Sequence, residues 1–242
     1  MVGYSYETDE KGFISGFFSP FIWDKTNGIS KLSGDGLSQL IDRGYKNILP
    51  TDINNSGQVL AGAFNPEVDE SGIGVYWDKD SGFISTGIGV VEDAYVLGIN
   101  DLGQIVGSGF NDNRFGGYIW QKNTPTINLN FFPSGFNNLG QVVGQSREKT
   151  YLWDKNTGLV DLDQVLSTFG WSIEINDRED GRGNLLINNA GQIFGTGFFN
   201  GERRAFLLTP DNTKSVPEPA TALGVFAFAA FAAASKMKRQ RQ

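Results

Sequence analysis

Carboxylates and arginines are the side chains through which this chain could do chemistry, because its 242 residues include no histidine and no cysteine. That removes the imidazole base, the Ser-His-Asp triad, the thiol nucleophile, the His or Cys metal ligand and the disulfide together. Carboxylate pairs remain. Two of them held ~5 to ~9.5 Å apart would suit glycoside hydrolysis, a separation that is spatial and not written in sequence. Two acidic stretches, residues 65–71 (NPEVDES) and 176–180 (NDRED), carry oxygen ligands of the kind Ca²⁺ takes. Neither has the D-x-[DN]-x-[DN]-G spacing of a dedicated calcium loop, and both read as solvated acidic loops. Arg43, Arg114, Arg147, Arg178, Arg182, Arg203 and Arg204 are scattered too widely to form a carboxylate clamp. No catalytic residue, metal site or cofactor is assigned.

The elements that would have to position such groups are repeated. The phrase INDLGQIVG at residues 99–107 returns as INNSGQVLAG at 53–62, FNNLGQVVG at 136–144 and INNAGQIFG at 187–195, with a degraded copy, TDEKGFISG, at 8–16. Its glycines, Gly12, Gly57, Gly103, Gly140 and Gly191, are 45, 46, 37 and 51 residues apart, a period typical of propeller blades. Asn54, Asn100, Asn137 and Asn188 each stand three residues before Gly57, Gly103, Gly140 and Gly191. Asn at the first position of a type I turn, with Gly in the left-handed conformation of the following bulge, reverses the chain between two strands. These eight residues are therefore expected to be structural.

A second phrase follows in each repeat: FIWDKTNG at 21–28, VYWDKDSG at 75–82, YIWQKNTP at 118–125, YLWDKNTG at 151–158 and the altered AFLLTPDN at 205–212. The apolar pair and Trp predict a third strand, and the polar turn leads to a fourth. Trp23, Trp77, Trp120 and Trp153 are expected at equivalent, largely buried positions. The expected fold class is all-β: a propeller-like array of about five four-stranded repeats over residues 1–214, forming a closed ring or an open arc. The fifth repeat reaches residue 209 with no visible fourth strand. Residues 163–183 interrupt the period, with a helical turn expected at 163–169 and Trp171 out of register. They are read as a cap on the last unit, with a binding loop as the alternative.

Charge limits the partners. The formal net charge is −7, and the segment from Val216 onward contributes +3, which leaves −10 on residues 1–215. Such a body lacks the basic face that nucleic acid requires. The basic residues of the tail close a distinct segment, 215–242, in which Pro217, Glu218 and Pro219 precede the apolar run ATALGVFAFAAFAAAS (220–235) and the cluster Lys236, Lys238, Arg239 and Arg241. The Ala-rich run predicts one hydrophobic helix from about residue 221 to 238. It is shorter than the ~20 residues that cross a bilayer comfortably, while the terminal cations can snorkel and hold it on the cytoplasmic side.

Four resemblances attach to these motifs. Trp-Asp at 23–24, 77–78 and 153–154 resembles the WD-repeat dipeptide, but the accompanying Gly-His pair is absent, so Asp is read as opening a turn after Trp. The polar turns share a spacing with sialidase-like Asp boxes without the Ser-x-Asp order. The tail closely resembles the PEP-CTERM signal of Gram-negative and cyanobacterial envelope proteins, with Pro217, Glu218 and Pro219 matching its name-giving motif. That resemblance implies recognition by an exosortase, a membrane-spanning transpeptidase-like enzyme, and delivery through the inner membrane to the cell envelope or extracellular space. The repeats are similar to the HAF family of extracellular repeats, through the turn phrase at 100–107 and Ala205-Phe206-Leu207, and that family brings no catalytic residue with it. No secretory leader is visible in MVGYSYETDEKGFISG, which reads as a start truncated upstream. The expected function is that of a non-enzymatic cell-surface or matrix β-repeat protein, with extracellular polysaccharide as a partner class. The alternative is a divergent propeller glycoside hydrolase or lyase acting on surface polysaccharide.

Overall fold

Small and β-branched residues alternating with aromatics, punctuated by Asn, Asp and Gly, form short antiparallel strands throughout the chain. The computed structural model describes residues 1–6, 10–11, 18–65, 67, 72–90, 95–111, 114–174 and 185–210. The first unit contains β1 (Val2–Ser5), β2 (Ser19–Asp24) and β3 (Gly28–Lys31), followed by the short helix α1 (Leu37–Asp42). The second contains β4 (Asn47–Ile53), β5 (Val59–Phe64), β6 (Gly72–Asp78) and β7 (Gly82–Val90). The third contains β8 (Tyr95–Ile99), β9 (Gln104–Asn111), β10 (Arg114–Gln121) and β11 (Ile127–Leu129). The fourth contains β12 (Phe132–Phe136), β13 (Val142–Gln145), β14 (Thr150–Asp154) and β15 (Gly158–Asp161), and leads into α2 (Leu162–Ser167). The fifth contains β16 (Trp171–Ile173), β17 (Leu186–Ile187), β18 (Ile193–Phe199) and β19 (Glu202–Leu208).

Strands of the first four units pair in chain order. The second and third units are continuous, because Gly89 at the end of β7 pairs with Phe110 at the end of β9. In the fifth unit β18 is central, with β19 along one edge and β17 and β16 end to end along the other. The described chain is thus an all-β array of mostly four-stranded antiparallel units, as the repeats predicted.

One register runs through all five. Trp77 lies opposite Val59, Trp120 opposite Ile105, Trp153 opposite Val142 and Leu208 opposite Ile193. In the first unit Trp23 exchanges backbone hydrogen bonds with Met1. This corrects the alignment of the first copy: Val2–Ser5, and not the phrase at 8–16, stands where β5, β9, β13 and β18 stand in the others. Most of residues 8–16 lie outside the described residues.

Because side chains alternate across a strand, every sheet has a face bearing the Trp position and an opposite face. Val2 and Ile22 of the first sheet pack on Val59, Trp77 and Phe83 of the second. Leu60 and Tyr76 of the second pack with Ile105 and Trp120 of the third. Val106 and Ile119 pack with Val142 and Trp153, and Val143 and Leu152 with Ile193 and Leu208. The core is therefore four apolar layers between five successive units.

Residues 163–173 of the interruption, with Leu162 just before them, pack into this core. Asp161 caps α2 by accepting from the Gln164 N–H, and Leu162, Leu166 and Trp171 are buried against the fifth sheet. The chain then adds β16 as an edge strand beside β18, end to end with β17 and opposite β19, so among the described residues the interruption extends the β17 edge of the fifth sheet and no fourth strand follows β19. The expectation for the Trp positions holds unevenly. Trp77 and Trp120 are buried, Trp153 is half-buried, and Trp23 is 42% exposed because no sheet among the described residues packs on its face.

The Trp77 ring also donates its N–H to the Ser33 carbonyl at 2.9 Å. Trp77→Ala is expected to cost about 3 to 5 kcal/mol, and Trp23→Ala roughly 1 kcal/mol. Chemical denaturation of the two variants measures the difference, and equal losses would mean that the register does not set burial.

Candidate functional site

The repeated turn is built from its own side chains. Asn100 Oδ1 accepts from the backbone N–H of Leu102 and of Gln104, at 3.1 and 2.9 Å. The Gly103 N–H returns to the Asn100 carbonyl, and the Asn100 N–H donates to the Gln104 carbonyl. Gly103 has φ of 74°, the left-handed conformation that the bulge demands. Asn54, Asn137 and Asn188 make the same set, with Gly57, Gly140 and Gly191 at φ of 75°, 80° and 74°.

Beyond the single turn, the turns are joined to one another. The Asn54 amide donates from Nδ2 to Gln58 Oε1 in its own turn and to the Asn100 carbonyl of the next, at 2.6 and 2.8 Å. Asn100 reaches Gln104 and the Asn137 carbonyl, and Asn137 reaches Gln141 and the Asn188 carbonyl. A second row runs beside the first through the residue after each Asn. Asp101 Oδ1 accepts from the Asn55 N–H, its Oδ2 accepts from the amides of Asn55 and Asn138, and the Asp101 N–H donates to Asn138 Oδ1. The Asn138 N–H continues to Asn189 Oδ1 at 2.9 Å. The backbone N–H of Asn55 foremost, then its side chain, holds the Asp101 carboxyl below its ordinary value.

Sequence reading placed Asn and Gly in these turns and missed two partners, Gln58, Gln104, Gln141 and Gln192 on one hand and Asn55, Asp101, Asn138 and Asn189 on the other. Their signal was present, since Gln follows Gly in every full copy of the phrase and a carboxylate or amide follows Asn. The row also crowds Gly103 and Gly140. A Cβ on Gly103 would stand 2.9 Å from Gln58 Oε1, and on Gly140 3.1 Å from Gln104 Oε1, so the preceding turn occupies that space.

The Trp-Asp turns have a comparable internal use. Asp24 and Asp154 accept from the backbone N–H groups two and three residues ahead. Asp78 does the same for Asp80 and Ser81, and also accepts from the Tyr76 hydroxyl at 2.8 Å and from Lys122 of the third unit at 2.9 Å. Lys122 further contacts the Ser81 hydroxyl and lies over the Tyr76 ring. Burial alone would raise the Asp78 carboxyl, but the hydrogen bonds from Lys122, Tyr76 and Ser81 outweigh it and hold it well below the carboxylate range. Burial first, and then the bond to Asp78, push the Tyr76 hydroxyl well above its ordinary value.

The other residues singled out are not brought together. Arg43 lies over the Tyr45 ring, Arg203 pairs with Glu174 and Arg204 with Glu202. In the first acidic stretch Asn65 Oδ1 accepts from the Glu67 N–H, and Glu67 pairs with Lys46. Residues 176–180 lie outside the described residues, as do Pro217, Glu218, Pro219, Lys236, Lys238, Arg239 and Arg241 and the helix expected over 221–238. Among the described residues no group of three or more acidic side chains could hold a metal ion, and no helix is long and apolar enough to cross a membrane. A cavity of about 280 Å³ opens between the first unit and α1, lined by Pro20, Leu32, Leu37 and Ile41 with Lys31 and Lys46. Comparison with protein families, curated proteins and solved structures finds no match to this chain.

Two outcomes follow from the joined turns. Asn100→Ala strands two backbone N–H groups, the Gln104 side chain and the Asn137 carbonyl, and is expected to cost about 2 to 4 kcal/mol. Asn188→Ala, at the exposed end of the row, is expected to cost roughly 1 kcal/mol, so equal melting temperatures for the two variants would show that the bridges carry no stability. For Asp78 the folded pKa is depressed, so its contribution is complete above the unfolded carboxylate value of ~3.9 and is lost as pH falls through the folded value. The stability gap between wild type and Asp78→Asn is expected to be constant from neutral pH to about 5 and to narrow below ~4. Urea melts across that range test it, and a gap that widens on acidification would contradict the assignment.

Proposed function

We propose that this chain is a non-enzymatic, surface-directed β-repeat protein whose sheets are arranged as propeller-like blades and whose tail is a sorting signal. The observation that carries the non-enzymatic reading is the use made of the repeated polar residues: each turn Asn, Gln and Gly is spent on its own turn or the next. Asp24, Asp78 and Asp154, the recurring carboxylates, close turns in the same way. A hydrolytic site would need acids turned together toward substrate. The propeller-like arrangement is supported by the first strands of the later units, β4, β8, β12 and β17, which lie next to one another in chain order. Innermost strands of blades occupy such places.

For sorting, the support is the order of the tail: Pro217-Glu218-Pro219, then the apolar run, then Lys236, Lys238, Arg239 and Arg241. Under this reading an exosortase-type membrane enzyme engages the Pro-Glu-Pro segment while the apolar run rests in the inner membrane, and the body goes to the envelope or matrix. Extracellular polysaccharide is the partner class that such a location offers.

Expression in a host with an exosortase tests it, using the chain behind a secretory leader and a Glu218→Ala, Pro219→Ala double variant. The wild-type chain is expected to lose the tail and reach the surface, and the variant to stay membrane-associated at full length. Equal processing of both would reduce the Pro-Glu-Pro segment to a linker ahead of a weak membrane anchor.

A further inference from the structure

The two ends of the array are left with faces that every internal junction buries. In the interior, the face opposite the Trp position is covered by the Trp face of the next sheet, and its central residues are sealed: Leu60 and Tyr76, Val106 and Ile119, Val143 and Leu152. The same register places Phe194 and Leu207 in the fifth sheet, opposite each other and flanked by Leu186 opposite Phe194. Phe194 is 46% and Leu207 45% exposed, and Leu186 and Phe198 on that face are exposed too. At the other end, Met1, Trp23 and Ile29 occupy the positions of Val59, Trp77 and Phe83, and all three are exposed.

We propose that these two faces are the halves of one more junction, made between copies of the chain, with the Met1–Trp23–Ile29 face of one copy seated on the Leu186–Phe194–Leu207 face of a second. The occupant is named by continuity with the junctions already formed. Four times among the described residues, a face of this kind is covered by a Trp-type face in a shared register, while the terminal pair stays exposed. Apolar patches of this kind on a soluble surface mark association sites. Because the two faces differ, the contact is heterologous, so copies add head to tail and the assembly grows unless the rotation closes it. The net charge of −7 opposes that growth, and salt screens the repulsion and favours it.

Sedimentation of the full 242-residue chain over a wide concentration range tests the proposal. The wild-type mass is expected to rise past the dimer with concentration, and further with added salt. Trp23→Asp blocks one face and Leu207→Asp the other. Each variant alone is expected to sediment as a monomer, and their equimolar mixture as a dimer, because each supplies the face the other lacks. Phe194→Lys serves beside Leu207→Asp as a second block of that face, and circular dichroism confirms that the variants fold. A wild type that stays monomeric would overturn the proposal, since the end faces would then be closed within the molecule or covered by its own residues 220–235. Association that survives both single substitutions would place the contact elsewhere, the apolar tail included. Loss in one variant only, or a mixture that stays monomeric, would rule out the head-to-tail pairing.

Discussion

The buried carboxamides of the turn asparagines Asn54, Asn100 and Asn137 are the constraint on which the array depends. An amide placed where Asn100 sits has two donors and one acceptor to satisfy, and leaving any of them unpaired costs about 1 to 3 kcal/mol. Its oxygen takes two N–H groups of its own turn, one of its N–H groups takes Gln104, and the other must find an acceptor outside the turn. The Asn137 carbonyl is that acceptor, so a local turn can be satisfied only when the next sheet is in place. Along this row the stack is directional: Asn54, Asn100 and Asn137 each donate forward to the carbonyl of the next turn, and strand register in one unit is tied to that in the next.

Packing between the sheets works with the same register. A polar row fixes where the turns meet, and the Trp-bearing face then arrives over the opposite face of its neighbour with no freedom to slide by one residue, which would turn every apolar side chain outward. Aromatic contacts lie at these layers. Tyr76 meets Trp120 between the second and third units at 5.4 Å between ring centres, and Phe131 meets Tyr151 at 5.5 Å. The polar knot of Asp78 and Lys122 spans the same second junction, so a half-buried charge on one unit is paired by the unit beside it. Hydrophobic burial supplies most of the stabilisation of such layers, while the amide row selects one alignment out of several that apolar contact alone would allow.

What was legible in the sequence was local. Asn followed by Gly at the third position carries its own geometry, and the Trp phrase carries its own alternation, so turns, strands and the four-strand unit were read from residues within reach of one another. Long-range consequences were not. Nothing in INDLGQIVG says that its Asn donates to a residue 37 positions away, although Gln after each Gly was the visible trace of a second partner. The first repeat was misaligned for a physical reason: its second strand, Val2–Ser5, carries no Gln-led apolar run like those of the other copies, and TDEKGFISG imitates the turn phrase more closely than the strand does. The strand Trp171–Ile173 was hidden because three residues carry too little alternation to be read, and its place beside β18 is set by α2 folding back on the core. Exposure of Trp23 followed from position in the array, which no residue-level pattern encodes.

The second row shows why one member is an acid. Asn55, Asp101, Asn138 and Asn189 occupy the same place in successive turns, and Asp101 stands between two amides that both donate to its Oδ2, at 2.8 and 2.6 Å, while the Asn55 backbone takes Oδ1. An asparagine at 101 would present one oxygen and one amino group to three donors, and its amino group would face an N–H donor whichever way it turned: the Asn55 backbone in one orientation, the two amides in the other. A carboxylate accepts on both oxygens and removes that conflict. The adjoining amides in turn stabilise its charge, which is the direction in which its pKa is displaced. The single acid in a row of amides is therefore a consequence of donor and acceptor arithmetic along the row, and it places a negative charge on the surface without calling for a ligand to explain it.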